Sequence, residues 1–165
     1  MAEVQQSGAA VRSVYAEDLR VGDRHDLGSH RVTEDEVVGF ATDWDPQFFH
    51  VDPEGAKESP FGGLIASGIH SLAIFQKLVV DACFRDWNII AGKEIRELRF
   101  LRPVRPGDEL TGHVVIEELT FDDRGRAEYV ARGFLTNQDG KDVLSLVTVA
   151  LIHSRDAGTT RRPLS

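Results

Sequence analysis

One long apolar segment, LIASGIHSLAIFQKLVVDACF at residues 64–84, decides the fold of this 165-residue chain. Apart from a few Ser and Gly residues, its only polar positions are His70, Gln76, Lys77 and Asp81. A helix that is apolar on most of its sides is buried in a protein core. A membrane span would need about 20 predominantly apolar residues, and the charges of Lys77 and Asp81 argue against one. The sequence therefore predicts one long buried helix.

The sequence after Lys93 changes to the period of β-strands. Four runs there are rich in Val, Leu, Ile, Phe and Thr, with turn-forming residues between them at 106–108, 122–125 and 137–140. The runs are IRELRFLRPV, ELTGHVVIEEL, AEYVARGFLTN and DVLSLVTVALIHS. Such short connections indicate an antiparallel meander. The predicted fold class is therefore α+β, with an antiparallel sheet wrapped around one long buried helix.

Two shorter helices are predicted upstream of the buried one. Thr33 and Glu36 have the spacing of a capping box, and apolar residues at helical spacing then predict a helix over about 34–43. Pro46 prevents its continuation. Asp52-Pro53 has the composition of a second helix start, with Asp at the cap and Pro at the first helical position.

The composition is that of one globular domain. The hydrophobic share is 41% and the charged share is 28%, which is enough apolar material for one core. We expect this domain at 15–153, between small and polar flexible tails at 1–14 and 154–165. The first residues, MAEVQQSGAA, do not resemble a secretory signal, so we expect a cytoplasmic protein.

Charge and cysteine content exclude several classes of function. The net charge is −8, and nucleic acids and anionic membranes both need a basic surface, so we expect neither as a partner. Cys83 is the single cysteine, which excludes an internal disulfide and a multi-cysteine metal site. His50 and Asp52 could offer two metal ligands, but no HExxH motif accompanies them, and we expect no metal.

The stretch DPQFFHVDP at residues 45–53 contains a candidate pair for acid–base chemistry. Asp45 and His50 would lie on different flanks of a continuous helix. Pro46 and Pro53 indicate a bent loop instead, which can bring both side chains to one point. An Asp and a His within reach of one water can deprotonate it and return a proton. The alternative is structural: two consecutive helix caps with an incidental histidine.

The start of the buried helix is a second candidate for chemistry. It is approached through PFGGLIASG at residues 60–68, and a helix start leaves free N–H groups with positive potential from the helix dipole. Such a place can polarise a carbonyl whose oxygen becomes negative during a reaction. In the alternative, Ser67 only caps the helix and Gly68 only lets two backbones approach. The two interpretations are compatible.

These stretches resemble the MaoC-like acyl dehydratases, relatives of the (R)-specific enoyl-CoA hydratases with the hotdog fold. The resemblance extends over about residues 15–153. The matching residues are Phe40-Ala41, Asp45-Pro46-Gln47, His50, Asp52-Pro53, Ala56, Pro60-Phe61-Gly62-Gly63, Ile65-Ala66-Ser67-Gly68 and FLRPVRPGD at 100–108.

The resemblance implies reversible addition of water to a trans-2-enoyl thioester, giving an (R)-3-hydroxyacyl thioester. It implies Asp45 and His50 as the catalytic pair that deprotonates water for attack at C3 and supplies the proton at C2. It implies that the Gly68 N–H binds the thioester oxygen. No cofactor or metal is implied, because the thioester itself acidifies C2. An acyl-CoA substrate and a homodimer or dimer of dimers, with acyl tunnels near the interface, are also implied.

The chain departs from the family pattern at three positions. Gln47 stands where Asn is common, Phe48 replaces the usual Pro, and Gln76 stands where some hydratases have a serine near the site. Both amides can hydrogen-bond alike, so the first change is conservative. The other two bear on substrate preference more than on the class of reaction.

Two other functions remain open at this point. Hotdog thioesterases generally place a carboxylate near the start of the buried helix, whereas here no acid follows Gly68 until Asp81. A non-catalytic acyl-CoA-binding hotdog subunit is the second alternative, and the presence of both Asp45 and His50 argues against it.

A basic run could serve an anionic substrate. Five basic residues lie within 93–105 against two glutamates, although the whole chain is acidic. The basic residues are Lys93, Arg96, Arg99, Arg102 and Arg105. Some of these side chains would meet the phosphates of coenzyme A, or else the run is a solvated strand face.

Overall fold

Five antiparallel strands form one sheet with the order β1-β3-β4-β5-β2. The computed structural model describes residues 13–155. The strands are β1 Arg24–Arg31, β2 Ile89–Phe100, β3 Glu109–Phe121, β4 Arg126–Thr136 and β5 Asp142–His153. Alternate side chains are buried in the first part of β3, as expected for a sheet with one face against a core, whereas β5 buries consecutive pairs such as Val143-Leu144 and Leu146-Val147.

The helices lie against this sheet. They are α1 Glu34–Trp44, the single turn α2 Phe48–Val51, and α3 Gly68–Val79, which continues as a π-helical turn over Val80–Phe84. Two 3₁₀ turns span Ala16–Asp18 and Gly55–Glu58. Phe75 of α3 is buried in the core and lies over Gly133 of β4, where a Cβ would come within 2.7 Å of the ring carbon Cε2. The predicted α+β arrangement of a sheet around a buried helix is confirmed.

The long helix begins later than its apolar sequence predicts. Residues 64–67 are extended, because the N–H of Ile65 donates to Phe49 O and that of Ala66 to Val104 O. The helix therefore starts at Gly68. It is also less enclosed than predicted, since Ile69 is 53% exposed.

The predicted meander is confirmed for β3, β4 and β5 but is wrong for the first run. That run forms β2, which pairs with β5 at the far edge of the sheet, from Ile89 opposite Ile152 to Phe100 opposite Leu144. The connection at 101–108 carries the chain to the other edge, where the N–H of Val32 donates to Asp108 O. Pro residues in this connection cannot continue a strand ladder.

The first strand, β1, was not predicted because its pattern is almost entirely polar. Leu27 is its one buried residue, and the register shifts at Gly28, which has a φ of 78°. An edge strand with a bulge shows no alternation of apolar residues. The prediction of α1 is confirmed, and Thr33 Oγ1 accepts from the N–H of Glu36 at 3.2 Å.

The described ends of the chain are held against the domain. The N–H of Val14 donates to Asp86 O at 2.7 Å, and Arg155 pairs with Asp18 at 2.5 Å. The remainder of the predicted tails, 1–12 and 156–165, lies outside the described residues. Within residues 13–155, no helix is long and apolar enough to cross a membrane.

Candidate active site

The chain bends sharply where α1 ends, and this bend positions Asp45. Asp45 is the last residue bonded to the helix, through its N–H to Ala41 O at 2.8 Å, and its φ of −156° is no longer helical. A residue before proline avoids the helical conformation. The chain then turns through Pro46 into α2, which carries His50. The predicted bend is confirmed, although His50 lies on a helical turn and not in a loop, and the bend brings the two side chains together.

The imidazole of His50 is fixed in one tautomer. His50 is buried, and its Nδ1 lies 2.7 Å from Ile65 O. A carbonyl oxygen only accepts hydrogen bonds, so Nδ1 carries the proton and, in the neutral ring, Nε2 is an acceptor. Nε2 lies 3.4 Å from Asp45 Oδ2. A carboxylate oxygen and an imidazole acceptor therefore face one another.

Two neighbouring donors keep the carboxyl group of Asp45 ionised. Ser67 Oγ donates to Oδ2 at 2.7 Å, and Gln47 Nε2 donates to Oδ1 at 2.9 Å. These hydrogen bonds, first that of Ser67 and then that of Gln47, together with the nearby His50, lower the pKa of Asp45 below its usual 3.8, against an opposing effect of burial. Gln47 thus binds the catalytic candidate directly through its side-chain amide.

Ser67 also forms the start of α3. Its Oγ accepts from the N–H of Ile69 at 3.2 Å, so it is the cap of the helix as well as a donor to Asp45. The prediction that Ser67 caps this helix is confirmed. The link to Asp45 was not predicted, because it joins residues 22 apart in sequence.

Gly68 is the first residue of α3, and its lack of a side chain matters here. A Cβ at this position would lie 2.8 Å from Cζ of Phe100, whose ring covers the start of the helix. The first N–H groups of a helix have no acceptor within it. Glycine therefore lets the ring of Phe100 pack closely against the start of the helix.

A cavity of about 260 Å³ joins these features. Its lining includes His50, Phe61, Gly68, Ser71, Phe100 and Arg102. Asp45 lies beside it, in contact with His50 and Ser67. All three residues predicted from the sequence are thus brought together. Ser71 was not predicted, although its position one turn after Gly68 places it on the same helix face.

A second cavity of about 360 Å³ continues along the same face of α3. Its lining is largely apolar and includes Leu72, Phe75, Gln76, Val79, Cys83 and Tyr129. Because these positions follow Gly68 and Ser71 at helical spacing, the two cavities are arranged in a row between α3 and the sheet. Gln76 therefore lies in the second cavity and not beside Asp45 and His50.

Comparison with known proteins identifies the family. The family model described as "MaoC like domain" matches residues 20–136. The chain belongs to this MaoC-like family. It is 42% identical over 94 residues to the uncharacterized protein YdeM of Bacillus subtilis, a match that covers 57% of this chain and 67% of that protein.

Solved structures agree with the MaoC-like assignment. The MaoC-like dehydratase of Rhodospirillum rubrum is 36% identical with a TM-score of 0.78, over 87% of this chain and 99% of that one. An (R)-hydratase from A. caviae, described as involved in PHA biosynthesis, is 25% identical with a TM-score of 0.68, over 83% and 98% of the two chains. The predicted hotdog fold is confirmed by these similarities.

This MaoC-like chain has a second cluster of titratable groups near α1. His30 Nε2 lies 2.7 Å from Glu36 Oε1, and His70 Nε2 lies 3.6 Å from the same oxygen. His70 stacks on Phe40, and its buried Nδ1 has no hydrogen-bond partner within residues 13–155. Burial lowers the pKa of His70; Glu36 opposes this effect, and His30 adds to it. This cluster ties α1 and α3 to β1.

Neither Asp81 nor Cys83 is placed to act as a nucleophile in this structure. Asp81 lies three turns after Gly68 and pairs with Lys77 and Arg85 on the protein surface. Cys83 is buried, and burial raises the pKa of its thiol to about 11. A buried thiol that stays protonated is not a nucleophile at neutral pH.

Proposed function

We propose that this MaoC-like protein is a hydro-lyase that adds water reversibly to a trans-2-enoyl thioester and forms an (R)-3-hydroxyacyl thioester. The observation that carries the proposal is the 3.4 Å approach of His50 Nε2 to Asp45 Oδ2 beside the cavity lined by Gly68. Similarity to the (R)-hydratase of A. caviae supports the proposed (R) configuration. The family assignment supports dehydratase or hydratase chemistry in general.

The pair of acceptors is suited to hold one water molecule. A water can donate one hydrogen to His50 Nε2 and the other to Asp45, and its lone pair then remains available for attack. As the oxygen bonds to C3, a proton passes to Nε2, and the imidazolium that forms is stabilised by the adjacent carboxylate of Asp45. Return of a proton to C2 completes the addition.

The start of α3 is suited to bind the oxygen of the thioester group. When water attacks C3, the electrons of the double bond move onto the thioester oxygen. In the proposal, the Gly68 N–H donates to that oxygen, and the positive potential of the helix start adds to the stabilisation. A side chain at Gly68 would collide with Phe100 and obstruct this contact.

The second cavity is the proposed place of the acyl chain. Gln76 lies eight residues after Gly68, which is roughly 12 Å along the helix axis. The cavity beyond Ser71 is largely apolar, and transfer of methylene groups into such a cavity is favourable by about 0.8 kcal/mol each.

The proposed assembly is a homodimer formed through β2. Within residues 13–155, β2 pairs only with β5, and its outer edge has no partner strand. Ile95 on this strand is 51% exposed. Long edge strands with exposed apolar residues pair readily with another chain. Light scattering should give twice the monomer mass of 18.3 kDa, and a monomer would contradict this part of the proposal.

The test is loss of enoyl-thioester absorbance on mixing the protein with crotonyl-CoA and then with longer trans-2-enoyl-CoAs. Asp45→Asn and His50→Ala should each lower the rate by about 10²- to 10⁴-fold. The matched controls are Asp43→Asn and His153→Ala, which make the same changes at exposed positions and should leave the rate unchanged. Free thiol release would indicate a thioesterase, and silence across the series would favour a binding subunit. Either result overturns the proposal.

A further inference from the structure

The basic run that ends at Arg105 divides into two parts. Lys93 pairs with Glu128, and Arg96 pairs with Glu94 at 2.8 Å. Within residues 13–155, by contrast, Arg99, Arg102 and Arg105 have no carboxylate at ion-pair distance. The uncompensated positive charge therefore lies in the second half of the run, although the chain as a whole has a net charge of −8.

Two of these three arginines are held at the cavity that contains His50 and Gly68. Arg102 lines it, and its Nη1 donates to Asp142 O at 2.5 Å. Arg105 Nη2 donates to Phe61 O at 2.6 Å, and Phe61 lines the same cavity. Each guanidinium group has five N–H donors, so a single carbonyl contact orients it and leaves most of its donors available.

Arg99 has no carboxylate partner among the described residues either, but it lies away from the cavity and is therefore a control for Arg102 and Arg105. Arg99 directly precedes Phe100, whose ring covers Gly68. Successive side chains of a strand point to opposite faces, so Arg99 lies on the face of β2 away from the cavity. Its charge is uncompensated like that of Arg102, but it does not line the cavity.

We propose that Arg102 and Arg105 bind the phosphate groups of the pantetheine-based carrier to which the acyl group is attached. This inference rests on the proposed function, because it assumes that the thioester lies at Gly68. With the acyl group in the cavity, the carrier extends outward past its edge, where both guanidinium groups are exposed. Planar guanidinium donors match phosphate oxygens well, and the anionic substrate of an acidic protein needs such a local positive edge.

The experiment compares hydration of crotonyl-CoA with that of crotonyl-pantetheine, which lacks every phosphate. Arg102→Gln and Arg105→Gln should each raise KM for crotonyl-CoA about two- to fivefold, and about five- to twentyfold together, with kcat retained. KM for crotonyl-pantetheine should not change. Arg99→Gln removes the same charge and should leave both KM values within about twofold. Raising the salt concentration should reduce the difference between the wild type and the double variant.

A third substrate, crotonyl-4′-phosphopantetheine, distinguishes the source of the phosphate. If the arginines already have their full effect on it, the site recognises the single phosphate that carrier proteins share with coenzyme A. If the effect needs crotonyl-CoA, the adenosine phosphates are bound. Both results support the inference. Equal losses on crotonyl-CoA and crotonyl-pantetheine, or an unchanged KM for crotonyl-CoA, would overturn it.

Binding measurements separate this inference from the proposed function. Calorimetry with coenzyme A needs no turnover, and the double variant should bind it about five- to twentyfold more weakly than Arg99→Gln does. If the protein hydrates no enoyl thioester but shows this difference in binding, the proposed reaction fails and the phosphate site stands. If it hydrates crotonyl-CoA and the double variant behaves like the wild type, the phosphate site fails and the reaction stands.

Discussion

Replacing Ser67 by Ala removes a hydroxyl that joins the two halves of the candidate site. Its Oγ donates to Asp45 Oδ2 at 2.7 Å and accepts from the N–H of Ile69 at 3.2 Å. Ser67 is 0% exposed, so its hydroxyl makes these hydrogen bonds within the protein and not with solvent. The substitution therefore affects the helix cap and the catalytic candidate at the same time.

The two effects differ in size and in the property that they change. Loss of an N-cap side chain costs about 1 kcal/mol of the free energy of unfolding. A hydrogen bond to a charged group is worth about 1.5–3 kcal/mol, and it holds Asp45 both ionised and in place. Since a displacement of about 1 Å in a catalytic group can cost about 10²-fold in rate, we expect kcat for crotonyl-CoA hydration to fall about ten- to hundredfold in Ser67→Ala.

A second substitution at the same position separates these effects. Glycine is a good N-cap, within a few tenths of a kcal/mol of serine, but it has no hydroxyl to donate to Asp45. Urea denaturation of Ser67→Ala and Ser67→Gly should therefore show a stability loss mainly in the alanine variant. The hydration assay should show a similar loss of kcat in both.

The pH profile gives a further check. The Ser67 hydrogen bond is the largest effect that lowers the pKa of Asp45, so its removal raises that pKa. Because the proposed reaction needs the carboxylate, the acidic limb of kcat should move to higher pH in both variants. Wild-type kcat and an unmoved acidic limb in Ser67→Ala would refute the reasoning. Recovery of activity in Ser67→Gly would assign the effect to the cap instead of to Asp45.

Three further predictions concern residues away from the reacting atoms. Gly133→Ala should lower the free energy of unfolding by about 1–3 kcal/mol, because the added Cβ would overlap the ring of Phe75. Urea denaturation of the double variant with Phe75→Leu should show a smaller loss than the sum of the two single variants. Additive losses would contradict the overlap. Cys83 is buried with its thiol pKa raised to about 11, so iodoacetamide at pH 8 should label it only after unfolding, and rapid labelling of the native protein would be inconsistent with this burial. His70 has a pKa lowered by burial below its usual 6.5, so the unfolded chain binds more protons in that range and native stability should decrease as the pH falls below about 6.5. Thermal melts between pH 5 and 7 should show a weaker pH dependence in His70→Gln than in the wild type, and an unchanged one in the exposed control His153→Gln.

The sequence predicts those elements whose signals are local. The hairpins joining β3 to β4 and β4 to β5 follow from turn residues at 122–125 and 137–140, between runs rich in Val, Leu, Ile, Phe and Thr. The placement of β2 depends instead on the path of residues 101–108 across the end of the sheet. The pairing of β2 with β5 is also interrupted by register shifts, the longest between Arg96 and Arg99. The spacing of apolar residues along β2 therefore does not predict which strand it pairs with.

The same distinction applies to the candidate site. Asp45 and His50 could be predicted as a pair because the prolines around them determine a local bend. The second bond of Ser67, the ring of Phe100 over Gly68 and the alignment of Ser71 with the cavity all depend on how α1, α3 and β2 pack together. Gly68 was predicted from its place at a helix start, but the physical reason that it must be glycine is the distant Phe100.

The hydrogen bonds of Asp45 also bear on the choice between water addition and thioester cleavage. A carboxylate that attacks a thioester carbon needs freedom to move toward that carbon. Here Oδ1 is bound by Gln47 and Oδ2 by Ser67, and both bonds favour the ionised group while restraining its position. His50 is restrained in turn by Ile65 O. Two fixed acceptors 3.4 Å apart repel one another until a donor lies between them. Water offers two donor hydrogens at once, so the arrangement favours a bound water as the nucleophile over direct attack by Asp45.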